Sequence, residues 1–136
     1  RGKTVTVNNE DDLDLVLHTR ELMGEKPVIV CVNMLGPMVV KEFEAAADAI
    51  VAMFGDLSNA LLEVLSGNFE PEGLLPMQLP ADMRTVEEQQ EDVPFDMECH
   101  RDTEGHIYDF GYGMNWQGVI ADDRVRTYGH HLPKEN

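Results

Sequence analysis

Carboxylates are the side chains of this sequence with the most evident capacity for chemistry. Two carboxyl groups on opposite sides of a glycosidic bond can serve as acid and as nucleophile or base, and the chain has 26 acidic residues. Glu42 and Glu44 flank Phe43 on a predicted helix, and residues 87–92 form an acidic run. Spacing along the chain does not bring any two of these groups face to face. We therefore predict that these carboxylates are solvated.

Sulfur and imidazole groups form a second candidate site. Four neighbouring residues carry metal-ligating atoms: Glu98, Cys99, His100 and His106. An adjacent Cys-His pair followed by a separate His matches no standard zinc spacing, and we expect neither metal nor cofactor. The chain also contains no phosphate-binding loop, dinucleotide fingerprint or nucleophile-elbow serine. Cys31 lies inside an apolar run and is predicted to be a small buried hydrophobe.

Length and charge limit the class of protein. The 136 residues allow one domain, 1–136, and the net charge is −16. Nucleic acid is excluded as a partner because phosphate binding needs clustered Lys and Arg, and an anionic membrane surface is disfavoured for the same reason. No apolar run has the length of a membrane span. The start at Arg1, without a signal-peptide pattern, indicates a processed or excised piece and leaves the compartment unknown.

Apolar periodicity predicts alternating strands and helices. Three strands, each followed by a helix, are expected in the order Thr4–Val7, Asp11–Met23, Val28–Val32, Met38–Ala47, Ala49–Phe54 and Leu57–Leu65. The continuous apolar run at 28–32 predicts a strand buried on both faces. This alternation favours an α/β fold with a mostly parallel sheet flanked by helices, a three-layer sandwich.

The second half of the chain is less regular. A short edge strand is predicted at 74–79, between prolines, and an acidic surface loop or short helix at 81–101. An aromatic, glycine-bearing segment follows at 107–113, and residues 118–125 could close the domain. The tail from Gly129 to Asn136 is predicted to fray.

Two glycine-bearing motifs lie in the second half of the chain. Asn68-x-x-Pro71-x-Gly73 predicts a sharp turn, since proline fixes φ and glycine permits positive φ. Phe110-Gly-Tyr-Gly113 could stack a sugar, but the favoured interpretation is that its glycines let the backbone pass close to a neighbouring element. The single tryptophan, Trp116, could be exposed for binding.

Taken in order, these segments resemble the C-terminal α/β sandwich domain of family 3 glycoside hydrolases. Residues 27–33 and 47–55 are similar to two consecutive strands of that domain, and 58–67 to the helix after the second. Residues 68–76 resemble the family's Asn-Pro-Ser-Gly-x-Leu-Pro turn, and 108–116 its Phe-Gly-Tyr-Gly-Leu-Ser-Tyr segment. Phe69 and Glu72 depart from the turn pattern in detail only.

The resemblance implies a fragment of a retaining β-glycosidase that hydrolyses β-linked glucosides or related sugars. In that family an Asp nucleophile lies on an N-terminal (β/α)8 barrel and the acid/base lies on a loop without counterpart here, so no catalytic residue is expected in this chain. The implied partners are a β-linked glycoside, met through the whole enzyme, and the barrel domain. Periplasmic or secreted localisation is favoured over cytoplasmic. The alternative is a non-catalytic α/β interaction or carbohydrate-binding module.

The loop after the first buried strand is the expected contact with the barrel. Ligands of α/β proteins gather at the carboxyl ends of parallel strands, which makes Asn33 and Met34 the candidate substrate-binding residues. A piece without its barrel should expose an apolar face or a strand edge. We therefore expect self-association, possible as a homo-oligomer, or dependence on the remainder of the enzyme.

Overall fold

The computed structural model describes residues 9–55, 58–90 and 92–128. Its elements, in chain order, are α1 (Glu10–Met23), β1 (Ile29–Asn33), a 3₁₀ helix (Glu44–Ala46), β2 (Ala49–Met53), α2 (Ser58–Leu65), α3 (Met83–Glu88), β3 (Met114–Asn115), β4 (Gly118–Val119) and α4 (Asp123–Tyr128). The predicted strand Thr4–Val7 and the predicted frayed tail lie outside the described residues.

Strands β1 and β2 form a two-stranded parallel sheet. Ile29 pairs with Ala49 and Asn33 with Met53, so the two strands run in the same direction over their full length. Strands β3 and β4 form a separate antiparallel hairpin. The α/β class is confirmed. The mostly parallel sheet of a three-layer sandwich stays a prediction, because the strands of the described residues form one parallel pair and one antiparallel pair.

The sheet is covered on one face. Val30 and Val32 of β1 pack against the core, while Ile29, 48% exposed, and Cys31 alternate with them toward solvent. The predictions that β1 is buried on both faces and that Cys31 is a buried hydrophobe are therefore wrong for this structure. A β-strand directs successive side chains to opposite faces, and the described residues provide an apolar layer for only one of them.

The covered face rests on a small core. Met34, Val40, Phe43 and Leu79 are its buried members. Leu13 and Val16 of α1 pack against it, which places this helix over the sheet. The predicted helix Met38–Ala47 is wrong: only Glu44–Ala46 forms a helical turn. The β-branched pair before it lowers helix propensity, and burial of Val40 in the core fixes the segment instead.

A polar contact joins α1 to the sheet. Arg20, in the last turn of α1, forms an ion pair with Asp48 and donates from Nε to the carbonyl oxygen of Ala46 at 2.7 Å. The same Asp48 carboxylate accepts the backbone N–H of Val28 at 2.7 Å. Val28 and Asp48 immediately precede β1 and β2, so this contact holds the starts of both parallel strands beside the end of α1.

Helix α2 exposes much of its apolar surface. The helix begins at Ser58 and ends at Leu65, close to the predicted range, and Gly67 after it has φ 73°. A positive φ is easy for glycine and ends the helix, as the sequence predicts. Leu61 and Val64 are half-buried, but Leu62 and Leu65 are exposed. An apolar helix face open to solvent agrees with the expectation of an uncovered surface.

The segment 74–79 does not form the predicted edge strand. Its backbone bonds instead to the aromatic segment, with Leu79 N–H donating to the carbonyl of Tyr108 at 2.9 Å. The predicted short helix in the acidic stretch is confirmed as α3, capped by the Asp82 carboxylate, which accepts the Thr85 N–H at 3.1 Å. Among the described helices, none combines the length and apolar character needed to cross a bilayer.

We predict that Asp48→Asn destabilises the chain at neutral pH. The Val28 N–H and then the Arg20 guanidinium lower the pKa of the Asp48 carboxyl. A carboxyl with a depressed folded pKa stabilises above its unfolded value, about 3.9, and this contribution is lost as the pH falls through the folded pKa. Urea titrations should therefore show a lower midpoint for the variant at pH 7, with the difference shrinking below about pH 3.9.

Glu87→Gln, at an exposed position of α3, is the matched control and should leave the midpoint unchanged at both pH values. Equal midpoints for wild type and Asp48→Asn at pH 7 would show that the contact with Arg20 contributes nothing to the fold.

Candidate functional site

The two glycine-bearing motifs meet in space, and we call their contact the glycine junction, formed by Gly73 and Gly113. A Cβ at Gly113 would overlap the carbonyl oxygen of Gly73, so the two backbones approach more closely than any side chain permits. Gly111 N–H donates to the carbonyl of Leu75 at 2.8 Å, and Leu75 N–H donates to the carbonyl of Tyr112 at 2.7 Å. The favoured interpretation of these glycines, close backbone approach, is confirmed for Gly113.

Aromatic rings line the segment beside the junction. Tyr108 and Tyr112 are stacked with centroids 5.2 Å apart, and the His100 ring meets Tyr108 edge-on at 5.1 Å. Phe110 meets Phe95 edge-on at 5.8 Å. Burial raises the pKa of the Tyr112 phenol to about 12, so the hydroxyl keeps its proton at neutral pH. The rings stack on one another, which favours packing over the sugar-stacking alternative.

Two of the buried carboxylates have partners within the chain. Asp109 accepts a hydrogen bond from the Gln78 amide at 2.8 Å and from the Phe110 N–H at 2.7 Å. Asp102 lies 3.0 Å from His106 Nδ1 and accepts the His106 N–H at 2.8 Å. Burial opposes ionisation of Asp102, but these hydrogen bonds outweigh it and lower the pKa of its carboxyl. Such bonds compensate the burial of a charge and give both groups structural roles.

Glu44 departs from the sequence prediction. Its side chain is only 14% exposed, and Oε2 lies 3.7 Å from Nε2 of the buried His100. The prediction that Glu44 faces solvent is therefore wrong, whereas Glu42 is exposed. The contact links the 3₁₀ helix to the segment before the aromatic residues. Glu87 and Glu88 of the acidic run are exposed, as predicted, with Glu88 beside Arg84 on α3.

The candidate metal-ligating residues make other contacts in the structure. The Gln78 amide donates to Cys99 Sγ at 3.2 Å, and burial raises the pKa of this thiol to about 12. The described residues contain no group of three or more His, Cys, Asp or Glu side chains arranged to hold a metal ion.

The carboxyl edge of the parallel sheet holds the predicted substrate-binding residues. Asn33 is exposed, and its side-chain oxygen accepts the N–H of Gly55 at 3.2 Å, so it ties the loop after β1 to the loop after β2. Met34 donates its N–H to the carbonyl of Met53 at 2.8 Å, and its side chain is buried in the core. The structure thus places the two residues side by side with opposite exposures.

Two exposed apolar side chains follow the strands at this edge, one after β1 and one after β2, and sequence reasoning missed them. Leu35 is 98% exposed, and Phe54, which follows β2, is also exposed. We call Asn33, Leu35 and Phe54 the carboxyl-edge surface. A signal for it was present in the sequence, since Leu35 and Phe54 are apolar residues next to glycines, one shortly after the first predicted buried strand and one at the end of the second.

A family comparison identifies the chain. Residues 4–116 match the family described as glycosyl hydrolase family 3 C-terminal domain. This range includes both strands of the parallel sheet, the glycine junction and the carboxyl-edge surface. The chain therefore belongs to the C-terminal domain family of glycoside hydrolase family 3, as the resemblance of its motifs indicates. No solved structure matches significantly.

Curated relatives carry glucosidase names. The chain is 42% identical over 95 residues to a probable beta-glucosidase C of Aspergillus flavus and 38% identical over 97 residues to beta-glucosidase C of Emericella nidulans. These alignments cover 70% and 71% of this chain but only 14% and 15% of the relatives. A periplasmic beta-glucosidase/beta-xylosidase of Dickeya chrysanthemi is 32% identical, over 65% of this chain and 12% of its own length.

We predict that Gly113→Ala destabilises the chain, because the added methyl group would overlap the carbonyl oxygen of Gly73. Overpacking of this kind costs about 1–3 kcal/mol. Gly73→Ala is the matched control at the same contact, since its Cβ would meet nothing within 4 Å. Urea denaturation should show a clear loss for Gly113→Ala and a change within about 0.5 kcal/mol for Gly73→Ala. Equal losses in the two variants would contradict a specific backbone contact.

Proposed function

We propose that this chain is the scaffold and docking part of a retaining β-glycosidase that hydrolyses O-glycosidic bonds of β-linked glucosides or related sugars. The proposal is carried by the carboxyl-edge surface, where Leu35 is almost fully exposed and Phe54 is also exposed. An aliphatic side chain gains about 1.5–3 kcal/mol when it leaves water. Leu35 can make that gain on a partner surface, and the partner proposed is the barrel domain of the same enzyme.

The chemistry in this proposal belongs to carboxylates of the remaining polypeptide. Hydrolysis with retention needs two carboxyl groups about 5–5.5 Å apart at the scissile bond. In this chain, Asp102 and Asp109 are engaged by hydrogen bonds that hold local structure. The exposed acids of α3 lie on a solvated helix surface. These contacts support a role for the chain in which it contributes no catalytic residue.

Asn33 and Met34 have distinct parts in the proposed docking. Asn33 is exposed at the carboxyl edge and can present its amide to a sugar bound between the two domains. Met34 anchors the loop, because its side chain is buried and its N–H is bonded to Met53. In the whole enzyme the sheet would gain further strands and a second covering layer, which would complete a three-layer sandwich. The exposed face of β1 supports this completion.

A periplasmic or secreted location completes the proposal. One relative is named as periplasmic, and the acidic surface, with a net charge of −16, suits an enzyme that must stay soluble. Exposed apolar groups on the sheet and on α2 would also permit self-association when the barrel is absent.

We predict no hydrolysis of an aryl β-glucoside by the 136-residue chain alone, because both reacting carboxylates lie outside it in the proposed enzyme. Release of the chromophore should equal the buffer rate at any chain concentration. Activity that survives repurification of the chain would overturn the assignment of catalysis to the remaining polypeptide.

A variant in the full-length polypeptide is the complementary test. Leu35→Asp should loosen the domain contact and lower kcat/KM, whereas Val93→Asp, at another exposed apolar position, should leave kcat/KM within twofold of wild type. Equal activity of Leu35→Asp and wild type would show that the carboxyl-edge surface does not dock.

A further inference from the structure

Helix α1 packs one side against the core and exposes two leucines on the other. Leu13 and Val16 pack against the core, whereas Leu15 and Leu22 are 65% and 74% exposed. At 3.6 residues per turn, Leu15 and Leu22 align along one side of the helix, opposite Leu13. We call Leu15 and Leu22 the outer leucine stripe. Single exposed leucines are ordinary, but two aligned on one face form a stripe.

The residues around the stripe are strongly acidic. Asp11 and Asp12 lie about one turn before Leu15, and Asp14 and Glu21 directly precede Leu15 and Leu22 in the helix. His18, between the two leucines, lies 3.7 Å from Glu21. An apolar centre with a charged rim is the usual arrangement of a protein–protein contact. The sign of the rim defines the partner chemistry, because complementary charge steers association and like charge opposes it.

We propose that the outer leucine stripe docks into an apolar groove rimmed by Lys and Arg on the remaining polypeptide of the same enzyme. This rests on the proposed function, which supplies that polypeptide, and it adds a second contact away from the carboxyl-edge surface. The matched relatives are several times longer than this chain, so such an enzyme has ample surface to provide the groove. The stripe and the edge would then hold the domain at two separate places.

A second copy of this chain fits the stripe less well. Each copy has a net charge of −16, and pairing two stripes would bring two acidic rims together. Like charges set against each other across an interface disfavour association. A basic rim instead matches all the acids around the stripe. The contact should therefore weaken as salt screens the attraction.

Hydroxyl-radical footprinting of the full-length enzyme tests the proposal. Leu15 and Leu22 are compared with Leu79, which is buried at 3% exposure, and with the same leucines after unfolding in urea. All the reporters are leucines, so their intrinsic reactivity is the same. We expect Leu15 and Leu22 to react at a rate close to that of Leu79 and several-fold below the unfolded rate.

The outcomes separate this proposal from the one before it. Leu15 and Leu22 labelled near the unfolded rate would overturn docking of the stripe, whatever happens at Leu35. Protection of Leu35 in the same sample reports on the carboxyl-edge surface, so the two contacts can fail independently. Protection of the stripe that appears only as protein concentration rises would assign it to a second copy and overturn the proposed partner.

Variants test the charge requirement. Asp11→Lys/Asp14→Lys reverses two charges of the rim and should raise labelling of Leu15 several-fold at low salt. Glu87→Lys/Glu88→Lys, on the exposed surface of α3, makes the same change in net charge and should leave Leu15 protected. Equal labelling in both variants, at low and at high salt, would show that a basic rim is not the partner.

Discussion

The contact between Gly73 and Gly113 is the constraint on which the second half of this domain depends. A side chain is excluded at Gly113, so the backbones of 73–79 and 108–113 come close enough to exchange hydrogen bonds without forming a regular sheet. Leu79, held by Tyr108, then enters the core against Met34. The core in turn covers the parallel strands. A glycine pair without chemistry of its own therefore positions the sheet that presents the carboxyl-edge surface.

Local sequence rules predicted the helices and strands better than they predicted which faces of those elements are buried. Periodicity and glycine stops placed α1, β2 and α2 closely, because hydrophobic spacing and backbone freedom are local properties. The predicted helix from Met38 failed because packing of Val40 overrode a weak propensity. The predicted burial of Cys31 was wrong for another reason. An apolar run indicates that a strand can be buried, but whether a layer covers both of its faces is set by the tertiary fold.

The candidate site was predictable by position but not by partner. The rule that ligands collect at carboxyl ends of parallel strands led to Asn33, and the structure ties that residue to the loop after β2. The contact between Glu44 and His100 could not be foreseen, since 56 positions separate them in sequence. Pairing across such a distance is set by the tertiary fold. The family motifs were recognisable because backbone requirements leave fixed glycines and prolines.

The hydrogen bonds beside the glycine junction also define a closed excursion. The chain leaves the core at Leu79 and Pro80 and returns at His100, whose N–H donates to the carbonyl oxygen of Leu79 at 2.8 Å. The intervening residues, including α3, therefore begin and end at the same point of the core. Closing a longer loop costs only slightly more entropy. The described residues between Val86 and Asp96 are all exposed. This stretch can therefore change in length and composition among related enzymes without moving the sheet, and new surface specificity can arise there.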